Sequence, residues 1–77
     1  MNDTIKIMQN FVTLWKKRNF SEEGGIAIGI IAGSKQAIDL FGNENNAFAR
    51  LIDITEESQT EQEALDTFYA LIEKSDS

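Results

Sequence analysis

From Gly24 to Gly33 the chain uses only glycine, alanine and isoleucine, ten residues in a row with no polar side chain. This stretch constrains the fold more than any other. Ile26, Ile28 and Ile30 alternate with Ala27 and Gly29 as a strand would, while Ile26, Ile30, Ala37 and Phe41 recur at helical spacing. A strand here needs a partner, and the one candidate, Arg50 to Thr55, also reads as helix through Ala47, Phe48, Leu51 and Ile52. The helical reading is preferred, with one helix from Glu22 to Phe41. An α+β fold with short strands near 26–31 and 50–55 is the minor alternative.

Flanking segments read as helices. Asp3 or Thr4 can cap the first, and Ile5, Met8, Phe11, Val12 and Trp15 fall at spacings of three and four, which directs one apolar stripe at a core. That helix ends near Asn19, Phe20 packs back, and Ser21 caps the next element ahead of Glu22 and Glu23. Gly42 serves as a left-handed stop, and Asn43 or Asn45 caps a third helix reaching about Ile54. Thr60 to Glu63 matches the S/T-x-x-E capping box and opens a fourth helix with Ala64, Leu65, Phe68, Leu71 and Ile72 on its buried stripe. Ser75 to Ser77 should fray. The expected fold is all-α, a bundle of three to four helices in one domain spanning 1–77.

The chemical inventory is narrow. Among 77 residues there is no His, no Cys and no Pro. Without imidazole or thiol the chain has no obvious general base at neutral pH, no sulfur nucleophile and no nitrogen or sulfur ligand set for zinc. The expectation is a non-enzymatic protein with no cofactor and no metal. Asp53 to Asp66 lacks the glycine turn of a calcium loop. Gly29 to Lys35 reads GIIAGSK, which departs from a phosphate-binding loop in spacing and in the order of lysine and hydroxyl. Nucleotide binding is rejected there.

Charge is unevenly spread. The net charge is −6, yet Lys6, Lys16, Lys17 and Arg18 stand against Asp3 alone in the first twenty residues, leaving three bases against twelve acids in the rest. The basic cluster reads as a solvated helix end. An acidic surface repels phosphates and anionic lipid, which argues against nucleic acid and membrane as partners. A helix-turn-helix reading of Ser34 to Asp53 would offer Glu44, Asn45, Asn46 and Arg50, of which Arg50 alone suits phosphate. No basic, apolar, small-residue leader is visible, and a cytoplasmic setting is expected.

Three features are candidates for contact with a partner. Gly25, Gly29 and Gly33 share one helix face; each interior glycine costs about 1 kcal/mol relative to alanine, which calls for an offsetting close approach, either by another helix of the chain or by another molecule. The acids Glu56, Glu57, Glu61 and Glu63 belong to a base-free run. Tyr69 and Phe20 lie just off their helices' stripes, whereas Phe11, Trp15 and Phe68 read as core. The functional expectation is a small intracellular protein-binding module, a regulator or inhibitor acting on a protein partner, one of basic charge by the acidity of this chain, or as a homodimer. Two alternatives stand beside it: an acidic mimic of nucleic acid that blocks a DNA- or RNA-binding protein, and a peripheral membrane or immunity-type protein held through Trp15 and the Lys16 to Arg18 end.

Overall fold

The computed structural model describes residues 3–75, and Asp76 and Ser77, where fraying was expected, lie outside it. Helices α1 (Asp3–Lys17), α2 (Glu22–Ala32), α3 (Lys35–Phe41), α4 (Glu44–Glu57) and α5 (Glu61–Ser75) follow one another, with no strand among the described residues. The all-α expectation holds and the strands near 26–31 and 50–55 do not form: those segments lie in α2 and α4.

Among the described residues the helix count is five rather than three to four because the expected Glu22 to Phe41 helix breaks at Gly33 and Ser34. Gly33 closes α2 by donating its N–H to the Gly29 carbonyl, and the Ser34 hydroxyl then accepts from the Ala37 N–H as the cap of α3. A serine that satisfies orphan amides outcompetes continuation of a helix through a glycine.

Other boundaries follow their local chemistry. At the end of α1, Asn19 adopts a φ of 61°, and the N–H groups of Asn19 and Phe20 reach back to the Lys16 and Trp15 carbonyls, the bond pair of a Schellman stop. Gly42, at φ 97°, ends α3. Asn43 rather than Asn45 caps α4, accepting from the Asn46 N–H at 2.8 Å, while Asn45 accepts the Thr4 hydroxyl and ties the starts of α1 and α4 together. Thr60 caps α5 through the Glu63 N–H, and the Glu63 carboxylate returns to the Gln59 N–H, so the capping box is made with its reciprocal bond moved by one residue.

Helix α4 contacts all four others and contributes Ala47, Phe48, Leu51 and Ile54 to the core, at the 3.6-residue period. Around it lie Phe11 and Trp15 of α1, Ile28 and Ala32 of α2, Ala37 of α3, and Ala64, Phe68 and Ile72 of α5. Two hydroxyls share this interior at no penalty: Thr55 donates to the Leu51 carbonyl and Ser58 to that of Ile54. The molecule is 19 Å in its shortest dimension, two helix layers thick, so no helix is covered on every side by this chain.

A candidate interaction groove between α1 and α2

Helices in this fold bury their apolar residues on one side, and α2 has apolar residues on both. Ile28 and Ala32 face the core, while Ile26 and Ile30 stand 58% and 68% exposed. A helix apolar all round is ordinarily enclosed, so half of α2 lacks the cover its composition calls for.

The uncovered half meets a second apolar surface. Of the stripe expected to point into the core from α1, Phe11 and Trp15 are buried, but Ile5, Met8 and Val12 are 52%, 40% and 45% exposed. The sequence pattern assigned them to the interior because they share a helix face with Phe11 and Trp15; in the structure the cover over that face stops short of them. Between Met8 and Val12 on one wall and Ile26 and Ile30 on the other runs an open groove of about 540 Å³, with Phe11, Trp15 and Phe48 as its base. The base is a packed aromatic cluster: Phe11 packs on Trp15 and Phe48, and Trp15 meets Phe20 edge to face with centroids 4.8 Å apart. Phe20, an interface candidate by sequence, is thus half-buried against the core.

The three glycines of the stripe all line this groove, with unequal roles. A β-carbon at position 25 would lie 2.8 Å from Cδ1 of Trp15, so Gly25 is required by packing within the chain. At position 29 the nearest atom would be Cε2 of Phe11 at 3.9 Å, an ordinary contact, and at position 33 only carbonyls of α2 itself, at 3.8 Å. Close approach of α1 therefore accounts for Gly25 and the end of α2 for Gly33, which leaves Gly29 without an internal reason.

Charges mark the ends of the groove: Lys16 and Glu22 line one, Glu44 the other. Tyr69 is half-buried on α5 and does not line it. The acidic candidates lie elsewhere and have distinct duties. Glu56 and Glu57 are exposed at the end of α4. Glu63 is engaged in the cap of α5. Glu61 accepts from both the N–H and the hydroxyl of Ser21, each at 2.6 Å, and these two bonds hold its carboxyl below the usual carboxylate range. Ser21 in turn caps α2 through the Gly24 N–H and accepts the Trp15 indole N–H on its carbonyl, so one residue joins α1, α2 and α5 beside the groove.

At the basic end, Lys16 and Lys17 are exposed as expected, but Arg18 turns inward, donating to the Ser58 carbonyl with its guanidinium 5.5 Å from the Phe20 ring centroid. Trp15, 2% exposed, belongs to the core. No helix among the described residues is long and apolar enough to cross a membrane, and no cluster of three or more acidic residues there is arranged to hold a metal ion. The described residues form five helices with an open apolar groove between α1 and α2; no family model, curated protein or solved structure matches the chain.

Proposed function

We propose that this chain is a non-enzymatic protein-binding module, a regulator or inhibitor that occupies its partner through the groove between α1 and α2. The observation carrying this reading is the contiguity of Met8, Val12, Ile26 and Ile30 around an aromatic base, because exposed apolar residues are ordinary singly and meaningful as one patch. The exposed rims favour a macromolecule over a small ligand, since a molecule lying inside the groove would leave the outer faces of Ile26 and Ile30 in water. Gly29, an interior glycine with room for a β-carbon, lets the partner's backbone approach closely. Asp53, Glu56 and Glu57, exposed on α4, would steer a basic partner toward the protein without adding much to the contact itself.

Affinity capture from the cells that make the protein tests this reading, comparing the unaltered chain with an Ile26→Glu/Ile30→Glu variant at low and high salt. A stoichiometric protein that is retained by the first and lost by the second supports it. Equal capture by both chains sinks the groove as the binding site.

A further inference from the structure

We infer that the occupant of the groove is a second copy of this chain, docked about a two-fold axis that runs along the groove so that α2 of each copy lies over α1 of the other. The inference rests on the groove reading above and differs from it in the partner: the occupant is the acidic chain itself, held by apolar contact, and steering of a basic partner by Asp53, Glu56 and Glu57 has no part in it.

Self-complementarity is the first argument. Gly25 packs on Trp15, and Gly29, one turn further along α2, faces Phe11, one turn earlier on α1, an order of contacts that matches an antiparallel register of the two helices. That register sets Ile30 level with the gap between Met8 and Val12, and Ile26 level with the gap between Val12 and Lys16. A two-fold axis between the helices preserves level and exchanges the helices, so the protruding Ile30 of one copy meets the gap between Met8 and Val12 of the other, twice over. That gap lies on an exposed apolar stretch of α1 that includes Ile5, Met8 and Val12. Ile26 similarly meets Val12 and the methylenes of Lys16.

Charge follows the same operation. Lys16 and Glu22 line the same end of the groove on opposite helices, and neither is in an ion pair with another of the described residues. Exchange of the helices sets Lys16 of each copy beside Glu22 of the other, making two ion pairs. Glu44, at the far end, is brought toward its own counterpart, and each copy carries a net charge of −6, so both oppose the pairing and the apolar contact must outweigh them.

Area is sufficient. Ile5, Met8, Val12, Ile26 and Ile30 together expose apolar surface on the order of 500 Å², at the upper end of the largest patch on ordinary monomers. Covering it on two copies buries about 1,000 Å², the lower bound of a specific interface. A domain below about 80 residues with no cysteine to form a disulfide also gains most from such a contact.

Sedimentation equilibrium of the purified chain from about 5 µM to about 500 µM tests this, a range that brackets the dissociation constant expected of a small interface. The expected result is a monomer–dimer equilibrium that Ile30→Glu weakens by about tenfold or more with an unchanged circular dichroism spectrum. Lys16→Glu should weaken it, Lys16→Glu with Glu22→Lys should restore it, and Glu44→Gln should tighten it; Asp66→Asn is the neutral control. A monomer at every concentration overturns self-docking, as does a dimer indifferent to Ile30→Glu. The first of these leaves the groove reading intact if capture of another protein still depends on Ile26 and Ile30; a dimer and a capture that both ignore those residues remove the two together.

Discussion

Gly25 lies so close beneath the Trp15 indole that a β-carbon at position 25 would come within 2.8 Å of Cδ1, while Gly29, one turn further along α2, has room for one. The two glycines therefore predict opposite signs. Alanine in a helix interior gains about 1 kcal/mol over glycine, and at position 29 it would form an ordinary contact with Phe11. Gly29→Ala should raise stability by roughly 0.5–1 kcal/mol in urea unfolding. Gly25→Ala must displace a buried ring held by its bond to the Ser21 carbonyl, and overpacking of that kind costs about 1–3 kcal/mol. Equal effects of the two substitutions would contradict the packing described for α1 on α2.

Ser21 and Glu61 give a pH prediction. The Glu61 carboxyl is held below its ordinary value of 4.5 by hydrogen bonds from the Ser21 hydroxyl and N–H, so its charged form is favoured in the folded chain. Its contribution is complete above the unfolded-state value and is lost as pH falls through the lower folded-state value. In Glu61→Gln the carboxylate is gone at every pH, so urea midpoints should fall less steeply than in the unaltered chain on acidification below about pH 5. Ser21→Ala removes the α2 cap as well and should cost about 1 kcal/mol near neutrality. Parallel acid profiles for Glu61→Gln and the unaltered chain would rule out the Ser21 bonds as the cause.

Much of this architecture is legible in the residues. Ser21, Gly42, Asn43 and the Thr60 to Glu63 box announce helix ends because caps depend on local hydrogen bonding, which sequence displays directly. The break at Ser34 is of the same kind but is masked, since the apolar period of Ile26, Ile30, Ala37 and Phe41 runs straight through it. The groove is a different matter. Periodicity reports which residues share a helix face, and Met8 and Val12 do share one with Phe11 and Trp15. Whether another element covers the whole width of that face depends on how α2 and α4 cross α1, and no local pattern encodes it. The available signal was α2 itself, whose isoleucines occupy more of its circumference than one buried face can use.

Phe68 measures how little stability the chain has in reserve. It is fully buried on α5 and stacks on Phe41 with centroids 6.0 Å apart. Phe→Ala in a core costs about 3–5 kcal/mol, and a single-core domain of this size seldom holds more than about 3–5 kcal/mol in total. Phe68→Ala should therefore be largely unfolded at room temperature by far-ultraviolet circular dichroism. A cooperative unfolding transition near that of the unaltered chain would show that stability comes from elsewhere.

Ile28 and Ile30 sit two residues apart on α2 and should respond in different ways to the same substitution. Ile28 has no exposed surface, so Ile28→Ala leaves a cavity and costs about 2–5 kcal/mol at any protein concentration. Ile30 is mostly in water, and at low concentration Ile30→Ala should change stability by no more than about 0.5 kcal/mol, with alanine's higher helix propensity favouring the variant. Raising the concentration separates the two surfaces further. If a second copy covers Ile30, the melting temperature of the unaltered chain climbs with concentration, because dimerisation draws on the folded form alone, and Ile30→Ala flattens that climb. Ile28→Ala instead lowers the whole curve while leaving its slope. Melting curves of the three chains across a concentration series would thus assign each isoleucine to one surface, the interior or the interface, since a core residue changes the height of the curve and an interface residue its slope.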